Sequence, residues 1–576
     1  MITEEQVMER RMLLKVSDLE VAFRHEGDWV NVVDKIGFEL YQSETLGIVG
    51  ESGSGKSMTA LSLMQLLPPS ATVRNGRILF MGEGKAPVDL LSLGKEKMPL
   101  FRGKNIAMVF QEPMTSLNPT MTCGEQVSEA IILHEKVSKQ EAYLRSIELF
   151  REVQLPRPEE MYRSYPHQLS GGQRQRVMIA MAISCRPSVL IADEPTTALD
   201  VTVQHSILEL LKELQQKYKM SILFISHDLN VIAEIADRVM VVYHGKMVES
   251  GSIDEVLHHP QHAYTQALMQ CRPGFNSHPF RLKTISDFLQ EEGPSSPVIV
   301  NREILPHKVH YDVPPLLKLK EVNTRFVTKN NFWGRPKSYV QAVDQVSFEV
   351  YKGETLGLVG ESGCGKTTLG RTILQLIENV SGSISYKGVD ICKLPKTELR
   401  KLRKNIQIIF QDPYSSLNPK LTIGAAIIEP MQVHHILSND RERKAKVLEL
   451  LQKVGLDAAC FNRYPHEFSG GQRQRIGIAR ALSLQPELVI CDESVSALDV
   501  SVQAQVLNLL NDLKDEFQLT YIFISHDLSV VNYMSDRIAV MNQGKIEEIA
   551  PSGDLFKHPS TAYTQRLISS IPQVNK

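Results

Sequence analysis

Lysines, hydroxyls, acidic side chains and histidines recur in this chain in the order that phosphoryl transfer needs. Gly50-Glu51-Ser52-Gly53-Ser54-Gly55-Lys56-Ser57 fits the phosphate-loop pattern G-x-x-x-x-G-K-[ST] without a mismatch. Gly50, Gly53 and Gly55 let backbone N–H groups, with that of Ser52, turn inward onto phosphate oxygens. Lys56 supplies a cation for the β and γ phosphates, and Ser57 a hydroxyl ligand for Mg²⁺. The residues after Lys56 are expected to open a helix whose N-terminus favours the anion. Gly360, Ser362, Gly363, Gly365, Lys366 and Thr367 repeat the pattern further on, which removes chance as an explanation.

Other groups complete the chemistry. Asp193-Glu194 ends the apolar run Val189–Ala192; charge in that place serves a cation and a water, so Asp193 is assigned to Mg²⁺ and Glu194 to the attacking water. Gln111 follows the apolar run Ile106–Phe110, where it can ligate Mg²⁺ and orient water, or simply cap a turn. His227 follows Ile222–Ser226 and is assigned to the γ-phosphate by its place in the motif order. Ser170-Gly171-Gly172-Gln173 opens a second candidate anion-binding helix, which makes sense if it serves the γ-phosphate of a nucleotide held by another domain. Asp200 closes Ala198-Leu199-Asp200 and is either a helix N-cap or part of the site. Phe23, 33 residues before Lys56, is a candidate for stacking on adenine, with Trp29 as rival and a core role as the alternative.

The second half repeats these features in order. Gln411 follows Ile408–Phe410, Ser469-Gly470-Gly471-Gln472 repeats the cradle, Asp492-Glu493 ends Leu488–Cys491, and Asp499 and His526 follow. Ser170 to Asp193 and Ser469 to Asp492 are both 23 residues; Asp193 to His227 and Asp492 to His526 are both 34. Lys56 to Gln111 is 55 residues against 45 from Lys366 to Gln411, an excess placed in a surface loop around Gly82–Lys97. Phe326 matches Phe23 if Asn330–Lys337 is an insertion.

These residues need parallel strands to carry them. Thr45–Val49 and Thr355–Val359 read as buried strands, and Met12–Leu40 as strands with Val16, Leu19, Val21 and Phe23 alternating. Ser138–Leu155 reads as a helix of a separate helical subdomain, with a Ser138/Glu141 capping box and Leu144, Ile147 and Phe150 on one face. Both halves end alike, in His259-Pro260-Gln261-His262-Ala263-Tyr264-Thr265-Gln266 and His558-Pro559-Ser560-Thr561-Ala562-Tyr563-Thr564-Gln565. The expected domains are 12–270 and 315–576, with 271–314 a linker that is in part ordered.

Composition sets limits. The chain has 576 residues, 42% apolar and 23% charged, as in a soluble globular protein of several domains. A net charge of −2 gives no field for nucleic acid. The seven cysteines include no C-x-x-C pair, so a reducing compartment and no zinc ribbon are expected. The pairs His258-His259 and His434-His435 read as solvated. No secretory signal and no apolar run near 18 residues is seen, so contact with a membrane would pass through other subunits.

With phosphate loop, glutamine, Ser-Gly-Gly-Gln, Asp-Glu pair, Ala-Leu-Asp and histidine all in place, the chain resembles the ABC ATPase family over essentially its whole length. Phe110–Pro119, Tyr165–Ser170 and the two Tyr-Thr-Gln endings look like the oligopeptide/dipeptide/nickel importer branch. The fused form, with Asp492-Glu493-Ser494-Val495-Ser496-Ala497-Leu498-Asp499, is most similar to ATP-binding subunits of glutathione importers, with fused peptide and microcin importers close behind.

The resemblance implies an α/β fold of two tandem P-loop domains. Each would have a nucleotide core with an antiparallel β subdomain and a helical subdomain. It also implies ATP and Mg²⁺, head-to-tail halves sharing two nucleotides, two permease subunits and an extracytoplasmic solute-binding protein. The place of action would be the cytoplasmic face of the bacterial inner membrane. The coupling surface would include residues after Gln111 and Gln411. Ser494 stands where the family has proline and Phe468 where it has leucine; neither has a catalytic role, so two competent sites are expected. The cysteine cluster of some relatives is absent, so no Fe–S cofactor is expected, and no large terminal regulatory domain. A metal chelate is the alternative solute. The rival function is a non-transport tandem ATPase of translation or DNA repair, but the charged interdomain helix, basic extensions and zinc inserts of such proteins are not seen.

Overall fold

A computed structural model describes the chain except residues 1–10, 26–27, 83–85, 95, 112–115, 198, 275–278, 280, 291–308, 331–335, 497 and 571–576. Its contacts divide into two units, the first ending at Leu199 and resuming over Val203–Gln270, the second comprising Asp200–Thr202 and Cys271–Ile571.

In the first unit a six-stranded sheet has the spatial order Lys246–Ser252, Arg238–Tyr243, Thr45–Val49, Ser221–Ser226, Val189–Asp193, Ile106–Val109. Five strands are parallel and Lys246–Ser252 pairs antiparallel at the edge. Thr45–Val49, Ser221–Ser226 and Val189–Asp193 are buried along their whole length. Burial on both faces is why they appear as unbroken apolar runs and not as alternating ones. The order reverses beside Thr45–Val49, the kind of switch point at which such sheets bind ligands at their carboxyl ends. Gln111, Asp193-Glu194, His227 and the phosphate loop all follow strands of this sheet.

A second, antiparallel sheet of Asp28–Tyr41, Met12–His25, Ala71–Phe80 and Val88–Asp89 shares one apolar core with the first. Ala60 and Leu63, from the helix Lys56–Leu63, sit in that core. Simple alternation fails in Met12–His25. Val16 and Leu19 are three residues apart yet both buried, because the pairing shifts around Asp18, whose φ is 48°. This β-bulge restores the inward face for Val21.

The second unit repeats the plan. Its six-stranded sheet runs Ile406–Ile409, Leu488–Asp492, Thr520–Ile524, Thr355–Val359, Arg537–Asn542, Lys545–Pro551. Its antiparallel sheet is Pro336–Val350, Leu317–Asn330, Ser381–Tyr386 and Val389–Asp390. Phe23 pairs with Val30 and Phe326 with Val340, so the two phenylalanines hold equivalent places and the second hairpin is longer.

Three local expectations need correction. The ten extra residues of the first half are not all near Gly82–Lys97: Lys56 to Phe80, the end of the third strand, already spans 24 residues, against 20 from Lys366 to Tyr386. Nor is that stretch only surface, since Val88–Asp89 is a strand and Leu90 lies in the core. The helix Lys139–Glu152 has half a capping box: Ser138 Oγ accepts the Glu141 N–H, but the Glu141 carboxylate turns forward to Arg145, 2.6 Å away. Its buried face is Ala142, Ser146, Ile147, Leu149 and Phe150, and Leu144 is exposed. Thr122 and Glu125 form a complete box on Cys123–Glu135.

The residues after Gln270 pack within the second unit. Leu282, Ile285 and Phe288 are buried, and Ile285–Gln290 is helical. Asn508, on the helix Val500–Phe517, bonds both backbone polar groups of Leu282. Its Oδ1 accepts the Leu282 N–H at 2.9 Å and its Nδ2 donates to the Leu282 carbonyl at 2.8 Å. Arg281 pairs with Asp512 and Arg272 with Asp527. Among the described residues no helix is long and apolar enough to cross a membrane.

Candidate nucleotide site

Each phosphate loop connects a buried strand to an eight-residue helix, Lys56–Leu63 or Lys366–Ile373. The helix is preceded by Gly55 at φ 101° or Gly365 at φ 111°, and neither offers a side-chain cap. The first-turn N–H groups are therefore left for an anion. Glycine is required twice over here. The backbone is left-handed, and a Cβ would lie 2.5 Å from the Val32 carbonyl oxygen or 2.1 Å from that of Ala342. Lys56 Nζ donates to the carbonyls of Gly50 (2.7 Å) and Glu51 (2.8 Å), and Lys366 Nζ to those of Gly360 (2.7 Å) and Glu361 (2.9 Å). The ammonium is thus folded back into its own loop.

Ser57 Oγ donates to Asp193 Oδ1 at 3.0 Å, and Thr367 Oγ1 to Asp492 Oδ1 at 2.9 Å. Burial pushes the Asp193 carboxyl up to about 6, with the neighbouring Glu194 adding to it against Ser57 and Lys56. Burial raises Asp492 in the same way. A hydroxyl beside a buried carboxylate that resists ionisation is a hard-oxygen pair that suits Mg²⁺, whose charge would replace the proton.

The next residue behaves differently. Glu194 and Glu493 both adopt φ 46°, a conformation that costs a non-glycine residue about 1–3 kcal/mol. Their N–H groups stay on the neighbouring strand, at Ile225 O (3.0 Å) and Ile524 O (2.9 Å), so the left-handed twist bends the carboxylate away from its own strand. Glu194 Oε2 receives Gln111 Nε2 (3.1 Å) and Thr197 Oγ1 (2.9 Å) and lies 3.2 Å from His227 Nδ1. Burial raises Glu194, but His227, Lys56 and Thr197 outweigh it and hold the carboxyl below its ordinary value. At Glu493, burial is outweighed by His526 and Lys366; Gln411 Nε2 lies at 2.7 Å and His526 Nδ1 at 3.5 Å. Each unit thus pairs a protonatable aspartate with an ionised glutamate, a division of labour that suits a cation ligand beside a water-orienting base.

Ser170 and Ser469 cap the helices Gly171–Ile183 and Gly470–Leu482 in full capping boxes with Gln173 and Gln472. Asp200 directly precedes the helix Val201–Tyr218 and is buried; Asp499 stands at the N-cap of Val500–Phe517 but makes no side-chain capping bond. Phe23 is half-buried and Phe326 exposed, while Trp29 is exposed beneath the Arg74 guanidinium. The residues just after Gln111 lie outside the described residues; after Gln411 a short helix, Pro413–Ser416, follows.

Two sets of contacts escaped sequence reasoning. Thr197 acts on Glu194, whereas its counterpart Ser496 bonds the Glu493 carbonyl, and a hydroxyl three residues after a glutamate carries no distinctive signal. Tyr264 and Tyr563 reach the phosphate loops, at Glu51 N (3.0 Å) and Glu361 N (3.1 Å). Their repetition at both ends was the available signal.

Duplicated phosphate loops at the switch points of two parallel sheets, each with Asp-Glu and histidine on adjacent strand ends, define a P-loop ATPase. Residues 33–197 and 343–496 match the ABC transporter family, and 248–292 and 548–576 match the C-terminal region of oligopeptide/dipeptide transporters. The chain belongs to the ABC transporter family, as an ATP-binding subunit with two tandem ATPase domains.

It is 47% identical over 571 residues to the glutathione import ATP-binding protein GsiA of Salmonella choleraesuis (strain SC-B67), covering 98% of this chain and 90% of that protein. To GsiA of Escherichia coli (strain K12) it is 47% identical over 566 residues, covering 97% and 89%. Among solved structures, the dimeric post-hydrolysis state of the ATP-binding cassette MJ0796 bound to ADP and Pi is 28% identical, with a TM-score of 0.38 over 41% of this chain and 98% of that one.

Proposed function

We propose that this ATPase energises an importer that takes up a peptide-like solute, glutathione first among candidates, through two separate permease subunits fed by an extracytoplasmic solute-binding protein. It would act at the cytoplasmic face of the inner membrane. The observation that carries this reading is the oligopeptide-transporter region at the end of both halves, joined to the identity with proteins named for glutathione import.

The chemistry is positioning and electrostatics. Lys56 and Lys366 leave their loop carbonyls to meet β/γ-phosphate oxygens. Ser57 with Asp193, and Thr367 with Asp492, would hold Mg²⁺, which supplies charge neutralisation at the phosphates. Glu194 and Glu493 orient the attacking water and accept its proton, with Gln111, His227, Gln411 and His526 fixing the carboxylates. Ser170–Gln173 and Ser469–Gln472 would contact the γ-phosphate, and Phe23 and Phe326 the adenine.

The test is reconstitution with the permeases and binding protein in liposomes. ATP-driven uptake of labelled glutathione is expected. Uptake of a nickel chelate in its place would overturn the solute, and ATP turnover with salt-sensitive ribosome binding but no uptake would overturn the importer.

A further inference from the structure

The duplicated Tyr-Thr-Gln endings have no part in the chemistry above, yet the fold gives nearly every residue in them a task. A carboxylate on the edge strand gathers the turn: Glu249 accepts the N–H groups of Gln261 (2.7 Å) and His262 (3.2 Å), and Glu548 those of Ser560 (3.0 Å) and Thr561 (3.4 Å). The glutamine amide closes it, Gln266 Nε2 on the Pro260 carbonyl at 2.9 Å and Gln565 Nε2 on that of Pro559 at 3.2 Å. The helices that follow, Ala263–Gln270 and Ala562–Ser569, bury their tyrosine and threonine. Tyr264, wholly buried, stacks on Tyr243 with ring centroids 4.2 Å apart. The outcome in both halves is a phenol oxygen held against one loop N–H, that of Glu51 or Glu361.

The backbone of that residue is held on two sides. The Glu51 N–H donates to Tyr264, and the Glu51 carbonyl accepts from Lys56 Nζ. Glu361 stands between Tyr563 and Lys366 in the same way. Burial pushes the Tyr563 phenol up to about 12, so the oxygen stays neutral beside the anion-binding loop.

We propose that Tyr264 and Tyr563 are positioning residues for ATP binding, which set the curl of the phosphate loop through the Glu51 and Glu361 peptides and make the C-terminal segment of each half part of its nucleotide site. The inference rests on the loops binding ATP. Tyrosine to phenylalanine removes one oxygen and keeps the ring, so packing survives while a half-buried loop N–H loses its partner.

The experiment compares the full-length protein with Tyr264→Phe, Tyr563→Phe and the double variant. It measures ATP affinity by calorimetry, melting temperature without nucleotide, and amide exchange of the loop peptides. Each single variant is expected to speed exchange in its own loop only. The double variant is expected to bind ATP roughly 5-fold more weakly, as the loss of about one hydrogen bond predicts, with the melting temperature lowered by no more than about 4 °C. Wild-type affinity with unchanged exchange, or a lower melting temperature with wild-type affinity, would overturn the proposal. Should the double variant not fold, either single variant decides by the same measurements. Absence of ATP binding in the wild-type protein would instead sink the functional reading itself.

Discussion

The helices Val201–Tyr218 and Val500–Phe517 hold the same place in the two halves but present different chemistry on one face. In the first half, His205 is exposed and lies 3.4 Å from Glu209 and 3.6 Å from Glu234. The corresponding positions of the second half are Ala504, Asn508 and Tyr533, all buried. The switch helix after each histidine follows suit: Leu528–Met534 is buried at every position, while Leu229–Ile235 is buried at four. What separates them is the segment Cys271–Gln290, which lays Leu282 against Asn508 and Arg281 against Asp512. A charged face is stable in water; a covered one must lose its charges or pair them. So the differences between repeats record which face is covered, while the identities record the chemistry.

The largest test of that division is at the identities. Glu194→Gln with Glu493→Gln is expected to lower steady ATP hydrolysis at least about 100-fold, the usual scale for losing a base, with ATP binding retained. Each single variant measures its own half, and near-normal turnover in the double variant would remove both glutamates from the mechanism. Next comes the covered face. Asn508→Ala removes both amide hydrogen bonds to the Leu282 backbone and should destabilise the second unit by about 2 kcal/mol, read by calorimetry. Asn508→Glu, which restores the first half's residue beneath Leu282, should exceed that. A smaller effect tests a difference within the site. Thr197→Val should slow hydrolysis by about 5-fold, while Ser496→Ala, whose hydroxyl bonds only a carbonyl, should leave the rate within about 2-fold. If both fall equally, the extra donor on Glu194 does not distinguish the halves. Smallest of all, His205→Ala should change unfolding by less than about 0.5 kcal/mol, as expected of an exposed charge cluster.

The geometry of the candidate site was legible because its causes are local. A glycine at φ 101° with no room for a Cβ leaves a signature in the residues themselves, as does a buried strand ending in two carboxylates. The features that stayed hidden depend on distant partners. The bulge at Asp18 needs the neighbouring strands, and the orientation of Leu144 away from the core needs the helices around it. Leu282, Ile285 and Phe288 stand at helical spacing, in keeping with a linker that is in part ordered, but the face they cover is not written in that stretch. Setting the repeats side by side would have exposed it, because Glu209 to Asn508 and Glu234 to Tyr533 mark a face that has gone dry. Tyr264 and Tyr563 were conspicuous as a repeat, but a phenol reaching a loop N–H more than 200 residues away has no counterpart in spacing rules.

The grip of Asn508 on Leu282 also says where this polypeptide can be cut. A gene divided at residue 315, where the second repeat begins by motif, would leave the C-terminal product with an open slot lined by Asn508 and Tyr533 and no peptide to fill it. Divided before Cys271, the same product carries its own cover. The natural seam for expressing the second half alone therefore lies some forty residues upstream of its first strand, inside what looks on paper like connecting chain.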